Sequence, residues 1–243
     1  MKKTITIPST IVSIFLGLLI ALAGSQGSET YNGVAIFAIC ASVSYILHWV
    51  IFIPSFIFQT EHYFDLTGSI SYLSALALGF YLAPSVDIRD LIIGLLIAVW
   101  AIRLGSFLFL RVKQDGKDNR FTVMKTQFHW YLMTWTIGGL WVFLTMCAGL
   151  AAITSSKSVP LGITAYIGLA LWVFGFAIEV IADRQKRIFK KQKDKNLEFI
   201  TTGLWAWSRH PNYFGEITLW MGLTLIALPV LSGWQLVTLI SPI

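Results

Sequence analysis

Long apolar runs broken by short polar stretches dominate the chain. A helix needs about 20 mainly apolar residues to cross the hydrocarbon of a bilayer, and on that ruler the runs predict spans over residues 7–23, 33–53, 69–86, 90–110, 130–153, 160–182 and 213–230. A last apolar piece, Trp234 to Ile243, follows Pro229 and the Leu231-Ser232-Gly233 turn signal. A helix of that length rises only about 15 Å, too little to cross. It reads either as the end of a seventh helix kinked at Pro229 or, the preferred reading, as an eighth span truncated at Ile243. The expected fold is therefore all-α, a polytopic membrane helical bundle of about seven transmembrane helices plus a truncated eighth. Residues 1–243 form a single transmembrane domain, because no repeat, low-complexity tract or long loop interrupts the pattern. Residues 1–25 read as the first span, although Met1-Lys2-Lys3, an apolar stretch and the small-residue run Ala21-Leu22-Ala23-Gly24-Ser25 also fit a signal peptide.

Composition agrees with that pattern: 56% of residues are hydrophobic and only 12% charged, where soluble domains carry roughly a quarter charged. Collagens, disulfide scaffolds and soluble nucleic-acid binders are excluded. The net charge of +6 is explained by topology, since fifteen of the 18 Lys and Arg fall in the N-terminus and in alternate loops, chiefly 111–127 and 183–210. The positive-inside rule then places the N-terminus and the basic loops in the cytoplasm. Cys40 and Cys147 lie within apolar runs, the four histidines include no i, i+4 pair, and neither a P-loop nor G-x-G-x-x-G is present. No metal site, disulfide framework or soluble nucleotide-binding module is expected.

Ionisable residues inside a membrane are costly and usually paired or functional, so those that break the apolar pattern are the candidates for chemistry. Arg103 sits within the fourth span and calls for a buried anion. Glu179, Asp183 and Arg187 recur at i, i+4 and i+8 where the sixth helix leaves the membrane. The two carboxylates repel at that spacing, so the stripe is expected to face a polar cavity, accepting hydrogen bonds from a ligand or from Arg209. The densest segment runs from Gly203 through Trp205, Trp207, Arg209, His210, Pro211, Asn212 and Tyr213 to Glu216. Pro211 suits the first turn of a helix, which puts Asn212 and Glu216 one turn apart on one face, beside a phosphate-suited helix start backed by Arg209 and His210. A third cluster, Gln59 to Ser69, holds two acids and no Lys or Arg, with Glu61, Asp65 and Tyr63 as candidate proton donors or as a helix cap.

Taken together, Asp65-Leu66-Thr67-Gly68, Arg103-Leu104-Gly105, Asp118-Asn119-Arg120, Glu179 through Lys186 and Gly203 through Glu216 resemble steroid 5-alpha-reductase-like bacterial membrane proteins, a domain of unknown function grouped with the C-terminal domain of 3-oxo-5-alpha-steroid 4-dehydrogenases. The resemblance covers about residue 60 to 243. It implies an integral membrane protein, in the bacterial inner membrane, that holds NADPH in a cytoplasm-facing cleft. The implied reaction reduces a carbon–carbon double bond conjugated to a carbonyl in a steroid-like or other lipidic substrate drawn from the membrane lipids. It further implies that Asp183, Arg187, Asn212 and Glu216 contact the dinucleotide, with Glu179, Arg103, Arg120, Arg209, His210 and Tyr213 beside them. Asp65 or Glu61 would be the acid at the carbonyl, since the steroid reductases' catalytic Tyr falls near Trp100. The Arg-His-Pro-Asn-Tyr core, residues 209–213, is also similar to isoprenylcysteine and phospholipid methyltransferases, so an S-adenosylmethionine-dependent membrane methyltransferase is the alternative. No nucleic-acid partner is expected, and neither the substrate nor the oligomeric state follows from the sequence.

Overall fold

The computed structural model describes residues 3–116, 118–192 and 199–242. Among these, seven α-helices run α1 Lys3–Gly24, α2 Ile36–Ile57, α3 Phe64–Leu82, α4 Ile88–Asp115, α5 Phe128–Ile153, α6 Ile163–Gln192 and α7 Pro211–Ala227. All but α3 are long and apolar enough to cross a membrane, so the protein is an all-α polytopic bundle. Between α1 and α2 lies one element that the apolar pattern did not foretell. Thr30–Tyr31 (β1) pairs antiparallel with Val34–Ala35 (β2) across Asn32 and Gly33, whose φ of 51° and 80° are the left-handed values of a two-residue hairpin turn.

Helix ends follow local chemistry. The third helix begins earlier than its apolar run, with Asp65 in its first turn, where an acid meets the positive end of the helix dipole. It stops before Pro84, with Ala83 extended, because the residue ahead of a proline avoids the helical region. Asp87 caps α4 by accepting from Arg89 N at 2.8 Å and Asp90 N at 3.1 Å. Pro211 occupies the first turn of α7, with His210 as its N-cap.

The C-terminal apolar piece does not start an eighth transmembrane α-helix. Gly233–Ile240 is a 3-10 helix, held by side chains that point into the bundle. Gln235, Thr238 and Ser241 are buried, Ser241 Oγ donates to Thr145 O, and Trp234 N donates to Gln26 Oε1 at 2.6 Å. These polar ties to α5 and to the end of α1 favour a tight folded-back turn over a spanning helix. The expected truncation at Ile243 concerns a residue outside those described.

The central post of the bundle is α5, with 78% of its apolar window buried against 22% for α1. Small residues let its neighbours close in: a Cβ on Gly139 would come 3.2 Å from Ser44 O of α2. The first helix joins the same core through Ile20, and Tyr45 Oη donates to Ser13 O at 3.0 Å. At the end remote from the basic loops, buried Arg89 donates to Val159 O at 3.1 Å, Pro160 O at 2.9 Å and Ile226 O, tying α4 to the start of α6 and the end of α7.

The most intimate pair is α6 with α7. Gly168 and Gly175 on one helix face Gly222 and Gly215 on the other, and a Cβ on Gly215 would lie 2.6 Å from both Gly175 O and Glu179 N. Such small-residue seams let membrane helices pack backbone to backbone. The seam sets Asn212 and Glu216 directly against Glu179 and Asp183. A Gly215→Val substitution meets rigid backbone, and an overpacking penalty of about 1–3 kcal/mol is expected to appear as a lowered midpoint of thermal unfolding in detergent. An unchanged midpoint would show that the seam is slack.

Candidate functional site

The Glu179/Asp183 stripe has found its cation on α4. Arg103 donates from one nitrogen to Glu179 Oε1 at 2.6 Å and from the other to Asp183 Oδ2 at 2.7 Å, while Trp100 Nε1 donates to Glu179 Oε2 at 3.0 Å. One planar guanidinium thus spans two carboxylates a helical turn apart, a geometry that only a fork of parallel N–H groups satisfies. The expected partner, Arg209, is not involved, and Arg103 is engaged with acids rather than free to hold phosphate. Arg187 reaches Gln114 Oε1 at 2.5 Å instead of pairing with Asp183.

Glu179, Asp183, Arg187 and Gln114 line a cavity of about 460 Å³ between α4, α6 and α7. Its lining is graded. Toward the interior stand acceptors: Glu179, Asp183, Glu216 and Asn212, the last with its Oδ1 buried and without a partner. Toward the basic loops stand six cations, Arg111, Arg120, Lys186, Arg187, Lys190 and Lys191, with Tyr213 beside them. Arg120, Glu179, Asp183, Arg187, Asn212, Tyr213 and Glu216 therefore line one cavity, with Arg103 bound to two of them from behind. Arg209 and His210 are not in its lining: they line an adjoining groove that shares Lys186 and Lys190 with it, the His210 ring stacked on Tyr213 at 5.2 Å between centroids.

A second cavity, about 360 Å³ and mostly apolar, opens between α3, α4 and α5. Leu104, Leu108 and Trp141 belong to the walls of both cavities, so the two adjoin. On the inner wall of the apolar one lies Tyr72, which sequence reasoning passed over. Its phenol is 2.5 Å from Thr145 Oγ1, and its ring packs edge-on to Trp100 at 5.3 Å and along Trp220 at 6.2 Å. The signal was present: Asp65, Gly68, Ser69 and Tyr72 recur at i, i+3, i+4 and i+7, the period of one helix face, and all four line this cavity.

Of the two expected acids, Asp65 stands at the rim of the apolar cavity, 3.4 Å from Arg111. Glu61 lines neither cavity. It is buried in a clamp, accepting from Lys125 Nζ at 2.6 Å and Asp118 N at 3.1 Å, which straps the loop after α4 onto the start of α3. Burial alone raises the Glu61 carboxyl, but Lys125 and the Asp118 amide outweigh it and hold the group below its ordinary value. Asp118 is likewise held low, burial being outweighed by Arg120 at 2.6 Å and by Arg111. A carboxyl depressed by folding contributes stability that is complete above its unfolded value and is lost as pH falls through its folded one. Protection of backbone amides in 118–127 from hydrogen exchange is therefore expected to persist at neutral pH and to fall on acidification below the usual carboxylate range. In Glu61→Gln much of that dependence is expected to vanish; an identical pH profile would remove Glu61 from the clamp.

Residues 49–243 match the model of a family described as Protein of unknown function (DUF1295). The chain belongs to this family. The match takes in α3 to α7, and with them the polar cavity, the Arg103 clamp and all of the apolar cavity's lining but His48. No curated protein and no solved structure matches the chain. The DUF1295 assignment thus covers every residue that lines the two cavities except His48 and attaches no reaction to them. Among the described residues, no group of three or more His, Cys, Asp or Glu is placed to hold a metal ion.

Proposed function

We propose that this DUF1295 protein is an integral membrane reductase that uses NADPH to saturate a carbon–carbon double bond conjugated to a carbonyl in a lipidic substrate. The observation that carries the reading is the junction of a polar cavity, acceptors inside and cations outside, with an apolar cavity walled by a buried phenol. A nicotinamide nucleotide has the matching gradient: an amide N–H donor and ribose hydroxyls at one end, phosphates at the other. The unpartnered Oδ1 of Asn212 would accept from the carboxamide, Glu216 and Asp183 would accept from hydroxyls, and Arg120, Arg187 and Lys191 would meet phosphates. That many cations suits NADPH better than NADH. When bound, the reduced nicotinamide supplies a hydride to the substrate's beta carbon.

The remaining chemistry falls to side chains of this chain. As enolate charge develops on the substrate oxygen, a donor must be aimed at it in a water-poor site. Tyr72 is set deepest, on the wall shared with Trp100, and its neutral phenol is the acid we assign; Asp65, tied to Arg111 at the rim, serves the charge balance of the entrance. Trp100 fills the place where the resemblance put a tyrosine, and its indole N–H is spent on Glu179. The basic end would face the cytoplasm, where nucleotides are supplied, in a bacterial inner membrane.

The interior carboxylates would also suit the sulfonium of S-adenosylmethionine, but that ligand carries no phosphate for six cations to meet. Calorimetric titration of detergent-purified protein with NADPH, NADH and S-adenosylmethionine tests the reading. Saturable NADPH binding, weakened in Asn212→Ala, is expected. Binding of S-adenosylmethionine alone would replace the reductase by a methyltransferase.

A further inference from the structure

The groove that takes Arg209 and His210 out of the nucleotide cavity has a composition of its own. It measures about 800 Å³ and is formed by the extension of α6, with Lys186, Phe189 and Lys190, and by the segment 199–210. No acidic side chain lines it among the described residues. Trp205 is fixed as its floor: its Nε1 donates to Ala182 O at 3.0 Å, and Lys186 Nζ lies 5.0 Å over its ring. Phe199 and Trp207 stand 69% and 92% exposed at its edge, an extreme exposure for such rings in water.

Depth resolves that oddity. At 1.5 Å per residue the 30 residues of α6 extend about 45 Å, some 15 Å more than the hydrocarbon of a bilayer. The charged turns at Lys186 and Lys190 are the excess and stand at headgroup level, where Trp and Phe side chains are at home. Cations in a groove that no acid lines among the described residues, next to exposed aromatic rings at that depth, match a molecule with a phosphate at one end and a chain at the other.

We propose that this groove is a binding site for an anionic phospholipid, with its phosphate between Lys190 and Arg209 and an acyl chain along Phe199, Trp205 and Trp207. Arg209 makes no ion pair among the described residues, so the lipid would supply its counter-charge. The site does not depend on the reductase reading, although Lys186 and Lys190 border both cavities.

The test titrates detergent-purified protein with dioctanoyl phosphatidylglycerol and dioctanoyl phosphatidylcholine, bound lipid being counted by native mass spectrometry. Saturable binding of one phosphatidylglycerol in preference to phosphatidylcholine is expected. Arg209→Gln and Lys190→Gln should each weaken it about fivefold, the usual effect of one basic residue at an anionic surface, whereas Lys113→Gln, the same charge change on an exposed residue outside the groove, should not. Equal binding of the two lipids, or wild-type binding by Arg209→Gln, would overturn the proposal. So would displacement of phosphatidylglycerol by inorganic phosphate or by NADPH, which would make the groove a free-phosphate or nucleotide site. NADPH binding is read separately, so its failure leaves the lipid result standing.

Discussion

Arg103→Met is expected to lower the stability of the bundle by about 3 kcal/mol or more, the usual range when one partner of a buried ion pair is removed. The loss is not that of one contact. Glu179 and Asp183 lie a turn apart on α6, at 3% and 11% side-chain exposure, and without the guanidinium they face each other and Glu216 uncompensated. Arg103→Lys should recover only part, because a single ammonium cannot reach 2.6 Å from one carboxylate and 2.7 Å from the other in the way a fork does. The decisive variant is the triple change Arg103→Met with Glu179→Gln and Asp183→Asn, in which the orphaned charges are gone. Thermal unfolding in detergent should show it more stable than Arg103→Met alone, while NADPH binding should be weaker than in the wild type because the Asp183 carboxylate proposed to accept from a ribose hydroxyl is gone. If Arg103→Met unfolds at the wild-type midpoint, the three charges are solvated and the clamp holds nothing.

The clamp also marks how far the sequence could be read. An arginine among apolar residues demands an anion, and two acids at i, i+4 demand a cation, so each half was visible as an unmet need. Their union was not, because α4 and α6 are separated by 76 residues between Arg103 and Glu179, and nothing local says which helices touch. Proximity in sequence misled in the same way: Arg209 lies three residues from Asn212, but the turn at His210, ahead of Pro211, sends the two to different cavities. Apolar length located the helices well, since burial and membrane solvation ask for the same residues. It failed at the C-terminal piece, where composition suits a span but Gln235, Thr238 and Ser241 need polar partners inside the bundle. The hairpin at 30–35 was readable from Asn32-Gly33, a stronger signal than the apolar run it interrupts.

Tyr72 is the residue on which the proposed chemistry turns, and its loss should separate catalysis from binding. Tyr72→Phe removes one oxygen from a site where the ring is held by Trp100 and Trp220, so the fold and the NADPH affinity should be close to wild type. Turnover should not be. Removal of a general acid typically costs about 10²–10⁴-fold in rate, read as NADPH oxidation with any lipid-soluble enone that the wild-type protein reduces. Thr145→Val tests the support beneath the acid. Thr145 Oγ1 sits 2.5 Å from the phenol and either oxygen can donate to the other, so a Thr145 hydroxyl turned from Trp141 O to the phenol fixes the Tyr72 oxygen and leaves its O–H free for the substrate. Its loss should lower turnover less than loss of the phenol does, because the ring contacts remain to hold the tyrosine. Asp65→Asn provides the contrast. Its carboxyl stands two turns nearer the rim, within 3.4 Å of Arg111, but burial outweighs Arg120 and Arg111 and raises it above the ordinary carboxylate value, which makes it the rival proton donor. Wild-type turnover in Tyr72→Phe together with a collapse in Asp65→Asn would transfer the role to the aspartate, and with it move the substrate carbonyl from the deep wall of the apolar cavity to its entrance.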